Sequence, residues 1–305
     1  MRGNLAQRMK RKKKKPERKP HPSPELANMP SVDTNDRCKI GGVDAPVWTA
    51  NKAKLIQAYL KGFVFVTKTG TYLDLFAGPQ ESEFPDTWAA KLVLESEPRW
   101  LKKFALFEKG AQSAKRLREL AQEHRRRASW RSIRVFHGDC NEMVKKYFNQ
   151  NAIWAKEPTF CLLDQHTFQC SWETVQAIAR HKRYGHKIEL FYFLPEAWAD
   201  RAVASNTPEA LERWWGNKQW DEFKNTPWPR RGLLLAERFR KELKYKFAHP
   251  YPIYKKPTGG RVMFYMVHAS DHPDARRLMD NAYRNCVAPL PKQRLEDVEL
   301  FSAAP

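Results

Sequence analysis

Four short apolar runs of this chain each finish in an acid: Tyr72-Leu-Asp74, Phe104-Ala-Leu-Phe-Glu108, Val135-Phe-His-Gly-Asp139 and Phe160-Cys-Leu-Leu-Asp164. A carboxylate accepts hydrogen bonds only, so acids at such points suit ligand groups that donate, such as sugar hydroxyls and amines. Glu108 comes 34 residues after Asp74, the place at the end of a second strand from which an acid can hold both hydroxyls of a ribose. Asp139 is placed to accept from an exocyclic amine, or to cap the helix that starts before Asn141. Leu75-Phe76-Ala77-Gly78-Pro79 follows the first acid. Its small residues let a ligand approach the backbone, and a helix opening soon afterwards would direct free N–H groups toward an anion. This set of residues points to a nucleotide-like cofactor. At the fourth acid, Asp164 is followed by Gln165, His166 and Phe168. Of these, His166 is of the side-chain type suited to taking a proton near neutral pH.

Helix-length amphipathic stretches separate these runs, which is the pattern of an open parallel sheet that binds ligands at its carboxyl edge. Strands are expected at about 71–75, 103–108, 132–137, 159–164 and 187–194, with helices near 86–97, 111–128, 141–149 and 171–182. Asp86 and Ser171 are candidate N-caps. An earlier helix starts near Thr49 with an apolar stripe of Leu55, Ile56, Tyr59, Leu60 and Phe63. Residues 195–247 read as helical, broken at Asn206-Thr-Pro208 and Thr226-Pro-Trp-Pro229, with Trp198, Trp214, Trp215, Trp220 and Trp228 mostly packing as a core. Segments 248–255 and 260–269, joined across Gly259-Gly260, should form an antiparallel hairpin, and a last helix runs from Pro273 to about Cys286. The aromatic and basic stretch Tyr245–Lys256 fits either a strand or a single-strand binder.

Charge is unevenly placed. Residues 1–20 hold ten Lys or Arg and one Glu, a charge of +9 within a total of +21, so +12 remains in the rest of the chain. The run Lys10–Lys15 beside Pro16 and Pro20 cannot offset the entropy of folding and is expected to be disordered. With a basic body behind it, nucleic acid is the expected partner. His181–Lys187 is expected as a solvated basic surface at the amino edge of the sheet, and His124–Arg127 as cations favoured by a helix carboxyl end. The five cysteines are scattered without metal-ligand spacing, so no metal is expected and reduced thiols in a cytoplasmic protein account for them. No apolar run approaches the roughly 18 residues of a membrane span, and no secretory signal is present at the start. The organisation expected is a disordered basic tail and linker over 1–46, one α/β domain over 47–286 with a Trp-rich helical insertion at about 196–247, and a tail over 287–305.

These residues resemble the class I S-adenosylmethionine-dependent methyltransferases. More narrowly, Asp74-Leu-Phe-Ala-Gly-Pro79, Leu162-Leu-Asp164, Trp172-Glu-Thr-Val-Gln-Ala-Ile-Ala179 and Phe264-Tyr-Met-Val-His-Ala-Ser270 resemble the three-Cys-motif partner proteins (TcmP), from about Trp48 to Cys286. The resemblance implies a Rossmann-like, mostly parallel seven-stranded sheet with a C-terminal antiparallel hairpin. It also implies S-adenosylmethionine as cofactor and a separate partner carrying three cysteines. It places Asp74, Phe76, Gly78, Pro79, Glu108 and Asp139 at the cofactor, and Asp164, His166 and Phe168 at the transferred methyl group. Gln80 stands where the family usually reads a second glycine, and Gln165-His166 where it usually reads Pro and an aromatic or apolar residue. Two activities are therefore weighed: a methyltransferase acting on or near nucleic acid, and a fold that has lost catalysis and binds nucleic acid or docks a protein. A dinucleotide dehydrogenase fits less well, because Gly-x-Gly-x-x-Gly is missing.

Overall fold

The computed structural model describes residues 37–40, 43–79, 87–150, 157–256 and 259–286. The basic tail, Gln80, the candidate cap Asp86 and the segment 287–305 lie outside the described residues. Within the stretch whose composition reads as linker, two short strands, β1 (Arg37–Ile40) and β2 (Val43–Pro46), pair antiparallel.

Helix α1 (Val47–Thr67) follows, and its stripe of Leu55, Ile56, Tyr59, Leu60 and Phe63 is buried as the spacing requires. Then come β3 (Gly70–Asp74), α2 (Ala89–Glu95), β4 (Leu101–Glu108), α3 (Ala111–Arg127), β5 (Ser132–His137), α4 (Cys140–Gln150), β6 (Thr159–Leu163), α5 (Trp172–Arg180) and β7 (Glu189–Leu194). Each lies within a few residues of its expected place. Strands β6 and β7 are buried at every position, which is why they read as unbroken apolar runs rather than alternations. Ser171 caps α5, its hydroxyl accepting from Thr174 N at 3.2 Å; α2 instead begins after Trp88, which makes no side-chain cap.

Beyond β7 a short 3₁₀ turn, Glu196–Trp198, leads into α6 (Ala199–Ser205), α7 (Pro208–Trp215), α8 (Asp221–Asn225) and α9 (Trp228–Lys241). Two of the three breaks between these helices fall at the two proline motifs, and the third follows Gly216. Trp214 and Trp215 are buried and Trp198 and Trp220 pack against the core, while Trp228 is exposed. The Arg238 guanidinium lies between the Trp172 and Trp215 rings, 4.0 and 3.9 Å from their centres. Gly216 ends α7 in the left-handed region at φ 93°; a Cβ there would stand 2.4 Å from Trp172 Cδ1, so only glycine both turns the chain and clears the indole.

The chain closes with β8 (Phe247–Lys256), β9 (Gly259–Ser270) and α10 (Ala275–Cys286). The seven strands of the main sheet lie in the order β5-β4-β3-β6-β7-β9-β8. Pairings from β5 across to β7 are parallel, and β9 runs antiparallel to both β7 and β8. This is an α/β, Rossmann-like sheet of the methyltransferase type, with one reversed strand. The order reverses between β3 and β6, and in such sheets the crevice outside that reversal is where ligands sit.

Two surface readings change. Tyr245 and the run from Ala248 to Tyr254 are buried, so Tyr251 and Tyr254 of β8 belong to the core, while Phe247 is half-buried. In the stretch 181–187 the expected solvated surface holds for 183–186, which are exposed, but His181 stacks on Phe148 at 3.9 Å and Lys182 is buried beneath its neighbours. Among the described residues no helix is long and apolar enough to cross a membrane.

Candidate functional site

The carboxyl ends of β3, β4, β5 and β6 surround a cavity of about 570 Å³, within the size range of small-molecule sites. Phe76, Gly78 and Pro79 enter it from the loop after β3, Glu108 and Lys109 from the end of β4, Asp139 and Asn141 from the start of α4, and His166 and Phe168 from the loop after β6. Seven of the nine residues singled out by sequence thus meet at one place: Phe76, Gly78, Pro79, Glu108, Asp139, His166 and Phe168.

Glu108 is fixed by backbone. Its Oε2 accepts from Gly78 N at 3.0 Å and its Oε1 from Gly110 N at 2.6 Å. Each oxygen retains capacity for another donor. A Cβ on Gly78 would fall 2.1 Å from Glu108 Oε2, so this position takes glycine because the carboxylate fills the space a side chain would need. The alternative of a surface Glu facing Lys109 does not describe it, since the Lys109 ammonium pairs with Asp139 Oδ2 at 3.1 Å.

Asp139 performs the capping role and lines the cavity as well. Its Oδ1 accepts from Asn141 N and Asn141 Nδ2, both at 2.9 Å. Burial acts to raise its pKa, but the hydrogen bonds from Asn141 and Lys109 outweigh it and hold the carboxyl below its ordinary value. The Lys109 side chain is 78 % exposed, so this pair is weak and readily exchanged for a ligand donor.

Asp74 and Asp164 sit apart from that cavity, lining a smaller one with Phe76 and Gly78. Asp74 is buried, its Oδ2 accepting from Tyr72 Oη at 2.9 Å and its Oδ1 from Phe76 N at 3.1 Å. Burial pushes its carboxyl up to about 7, with nearby Asp164 and Glu108 adding to the rise and the two hydrogen bonds opposing it. Asp74 therefore holds the loop that carries Phe76 and Gly78. Asp164 forms a buried ion pair: Lys52 Nζ on α1 lies 2.6 Å from its Oδ1, both side chains 6 % exposed. The same ammonium lies 4.5 Å from the centre of the Phe264 ring and 5.1 Å from that of Phe193. The carboxylate expected to receive a target amine already holds an amine of its own.

His166 is exposed at the rim, its carbonyl accepting from Trp198 Nε1 at 2.8 Å. Phe168 is stacked on Trp214 with centroids 3.9 Å apart and meets Phe223 edge-on, so one of its faces is taken. Gln165 turns inward, its Oε1 accepting from Gln169 N and Cys170 N at 3.0 and 2.9 Å; it shapes the loop that displays His166.

Several residues of this region were not singled out from sequence. Asn206, Ala210 and Arg213 reach the cavity from the helical insertion, a placement set by packing across the top of the sheet. Asn141 spans two loops, its Oδ1 accepting from Ser171 N and from Thr174 Oγ1, both at 2.8 Å. Lys52 carried a legible signal: it stands one helical turn before Leu55 and Ile56, a charge within an apolar stripe.

A parallel sheet with a reversed strand next to its edge, a strand order that switches beside β3, and two carboxylates bordering a cavity outside the switch make this a methyltransferase-like fold with a candidate small-molecule site. No family model matches the chain, and no curated protein matches it either. Solved structures similar to it include TYW2 of P. horikoshii in complex with MeSAdo, at 12% identity and a TM-score of 0.36 over 77% of this chain and 69% of that one. Spermidine synthase in complex with the transition-state analogue AdoDATO is another, at 11% identity and a TM-score of 0.41 over 86% of this chain and 79% of that one.

Two measurements follow from this geometry. Removing one partner of the Lys52–Asp164 pair strands a buried charge, so Lys52→Met and Asp164→Leu should each cost about 3–5 kcal/mol in urea unfolding, while the double variant should lie closer to wild type than either; additive losses would contradict coupling. Because folding raises the Asp74 pKa to about 7, the stability it contributes is present below its unfolded value and lost as pH rises through about 7. Asp74→Asn should remove this part of the pH dependence, gaining on wild type by on the order of a few kcal/mol between pH 4 and 8.

Proposed function

We propose that this protein binds S-adenosylmethionine in the 570 Å³ cavity and transfers its methyl group to a nucleic acid or to a partner held on one. The observation that carries the reading is the convergence of Gly78, Glu108 and Asp139 on one cavity, with Glu108 preoriented by two backbone donors. A vicinal diol fits two carboxylate oxygens that each keep room for a donor, and an amine fits Asp139 Oδ2 once Lys109 swings away. Absence of a Cβ at Gly78 keeps the backbone open beside the acid. Bound there, the cofactor would supply an electrophilic methyl on a sulfonium, so the work left to the protein is alignment of an acceptor. Glu108 and Asp139 fix the cofactor's orientation, and His166 at the rim can take the proton of an oxygen or nitrogen acceptor. Asp164 would have to receive a target amine alongside Lys52, which already occupies its Oδ1.

Nucleic acid as the acceptor's setting is supported by a net charge of +21, of which the tail holds +9; the tail would act as an arm that neutralises phosphates ahead of a domain over 47–286. The resemblance to three-Cys-motif partner proteins adds a cysteine-bearing partner to this reading. A second reading rests on the same site: Asp164 is neutralised by Lys52 and Phe168 is covered by Trp214, which favours a subunit that keeps the cofactor cavity and has lost transfer.

Calorimetric titration with S-adenosylmethionine and S-adenosylhomocysteine should show saturable one-site binding that Glu108→Ala weakens tenfold or more. Wild type that binds neither compound rules out the proposal. Binding without methyl transfer to any RNA or DNA pool selects the second reading, whereas transfer lost in Asp164→Asn with affinity kept selects the first. Affinity for single-stranded oligonucleotides should fall steeply with salt, and deletion of residues 1–20 should flatten the slope; a response indifferent to salt argues against phosphate contact.

A further inference from the structure

A second cavity, of about 400 Å³, opens at the opposite, amino end of the sheet and shares no lining residue with the first. Phe63 and Val66 of α1, Pro158 before β6, and Ala275 and Leu278 of α10 give it an apolar wall. At its floor the Glu189 carboxylate accepts from Tyr59 Oη, from Ser270 Oγ at 2.8 Å and from His268 Nε2 at 3.0 Å. That acid is a closed network rather than a bare charge.

Lys182 also lines this cavity, at 9 % exposure. Its ammonium donates to the Glu157 carbonyl, which uses one of its three N–H groups. The nearest acid, Glu157, is spent elsewhere: Oε1 accepts from Thr71 Oγ1 at 2.6 Å and Oε2 from Lys103 Nζ at 2.8 Å. Burial pulls the Lys182 pKa down to about 8 despite that acid, as happens to a cation taken from water without adequate compensation. Two more donors stand beside it. His186 and His272 pack with ring centroids 5.3 Å apart and both line the cavity; His272 Nδ1 accepts from Asp274 N at 3.1 Å, which leaves its Nε2 carrying the proton.

We infer that this cavity binds a small amphipathic carboxylate, the head on the Lys182 ammonium and the apolar body against Phe63, Val66 and Leu278. An apolar wall facing one under-compensated buried cation is complementary to that class of ligand and to few others. A phosphate head is a poorer match, since a dianion calls for several charged donors and Lys187, the other lysine on this lining, is paired with Asp271 at 3.1 Å.

The inference is independent of the cofactor cavity and is tested on the full chain by calorimetry with octanoate, decanoate and dodecanoate, with octylammonium and octyl phosphate as controls. One-site binding that tightens with chain length, falls at least tenfold in Lys182→Met and is kept in Lys182→Arg is the expected result. Leu278→Trp, which fills the apolar wall, should lose affinity by a similar factor, and it decides the matter if Lys182→Met does not fold. No saturable carboxylate binding, equal affinity in the folded Lys182→Met or Leu278→Trp variants, or tighter binding of either control head group overturns the inference.

Discussion

The carboxylate of Glu108 ties two loops together with one backbone hydrogen bond each, to Gly78 after β3 and to Gly110 before α3. Hydrogen bonds to an ionised acceptor are among the stronger ones a protein makes, and this pair sets how the ends of two adjacent strands face one another. The loop after β3 is held a second time from beneath, where buried Asp74 accepts from Phe76 N. Between these acids the backbone from Phe76 to Gly78 has little freedom, and the wall of the larger cavity is built before any ligand arrives.

Much of this frame could be read in the sequence because parallel strands covered on both faces must be apolar throughout, which makes their ends, and the acids at those ends, easy to place. What could not be read is which acids look outward. Glu108 and Asp139 border the cavity while Asp74 and Asp164 turn into the body, yet all four stand at strand ends in similar surroundings. The difference is made by their partners: Tyr72, two residues back on the same face of β3, for Asp74, and Lys52, 112 positions away, for Asp164. Phe168 likewise loses a face to Trp214, a contact that depends on how the helical insertion folds back. The burial of Lys182 has the same origin, since a basic run states nothing about what will pack over one of its members.

Buried cations recur. Lys52, Arg131, Lys182, Arg231 and Arg238 are all withdrawn from solvent, and most are held by aromatic rings or main-chain carbonyls in addition to any acid. Arg131 donates to the carbonyls of Leu94 and Leu101, and Arg231 joins Glu196 and Asp200 beside the Phe223 ring. Rings and carbonyls stabilise a cation without neutralising it. These cations keep their place in the net charge of the body but are withdrawn from direct contact at its surface.

The reversed strand β9 lies between β7 and β8, and this has a consequence for the order in which the molecule can be completed. Strand β7 is Glu-Leu-Phe-Tyr-Phe-Leu, buried along its whole length, and one of its edges is paired only by β9, whose last residue is Ser270. During synthesis every strand from β3 to β7 leaves the ribosome while that edge still lacks its neighbour, and an apolar strand with an open edge is a template for pairing with another chain. The five helical segments made in the interval, ending with α9, emerge ahead of the missing strand. A ribosome that stops anywhere between residues 195 and 259 leaves a chain with the open edge of a fully apolar-packed strand exposed, so truncation in the insertion is a hazard of aggregation.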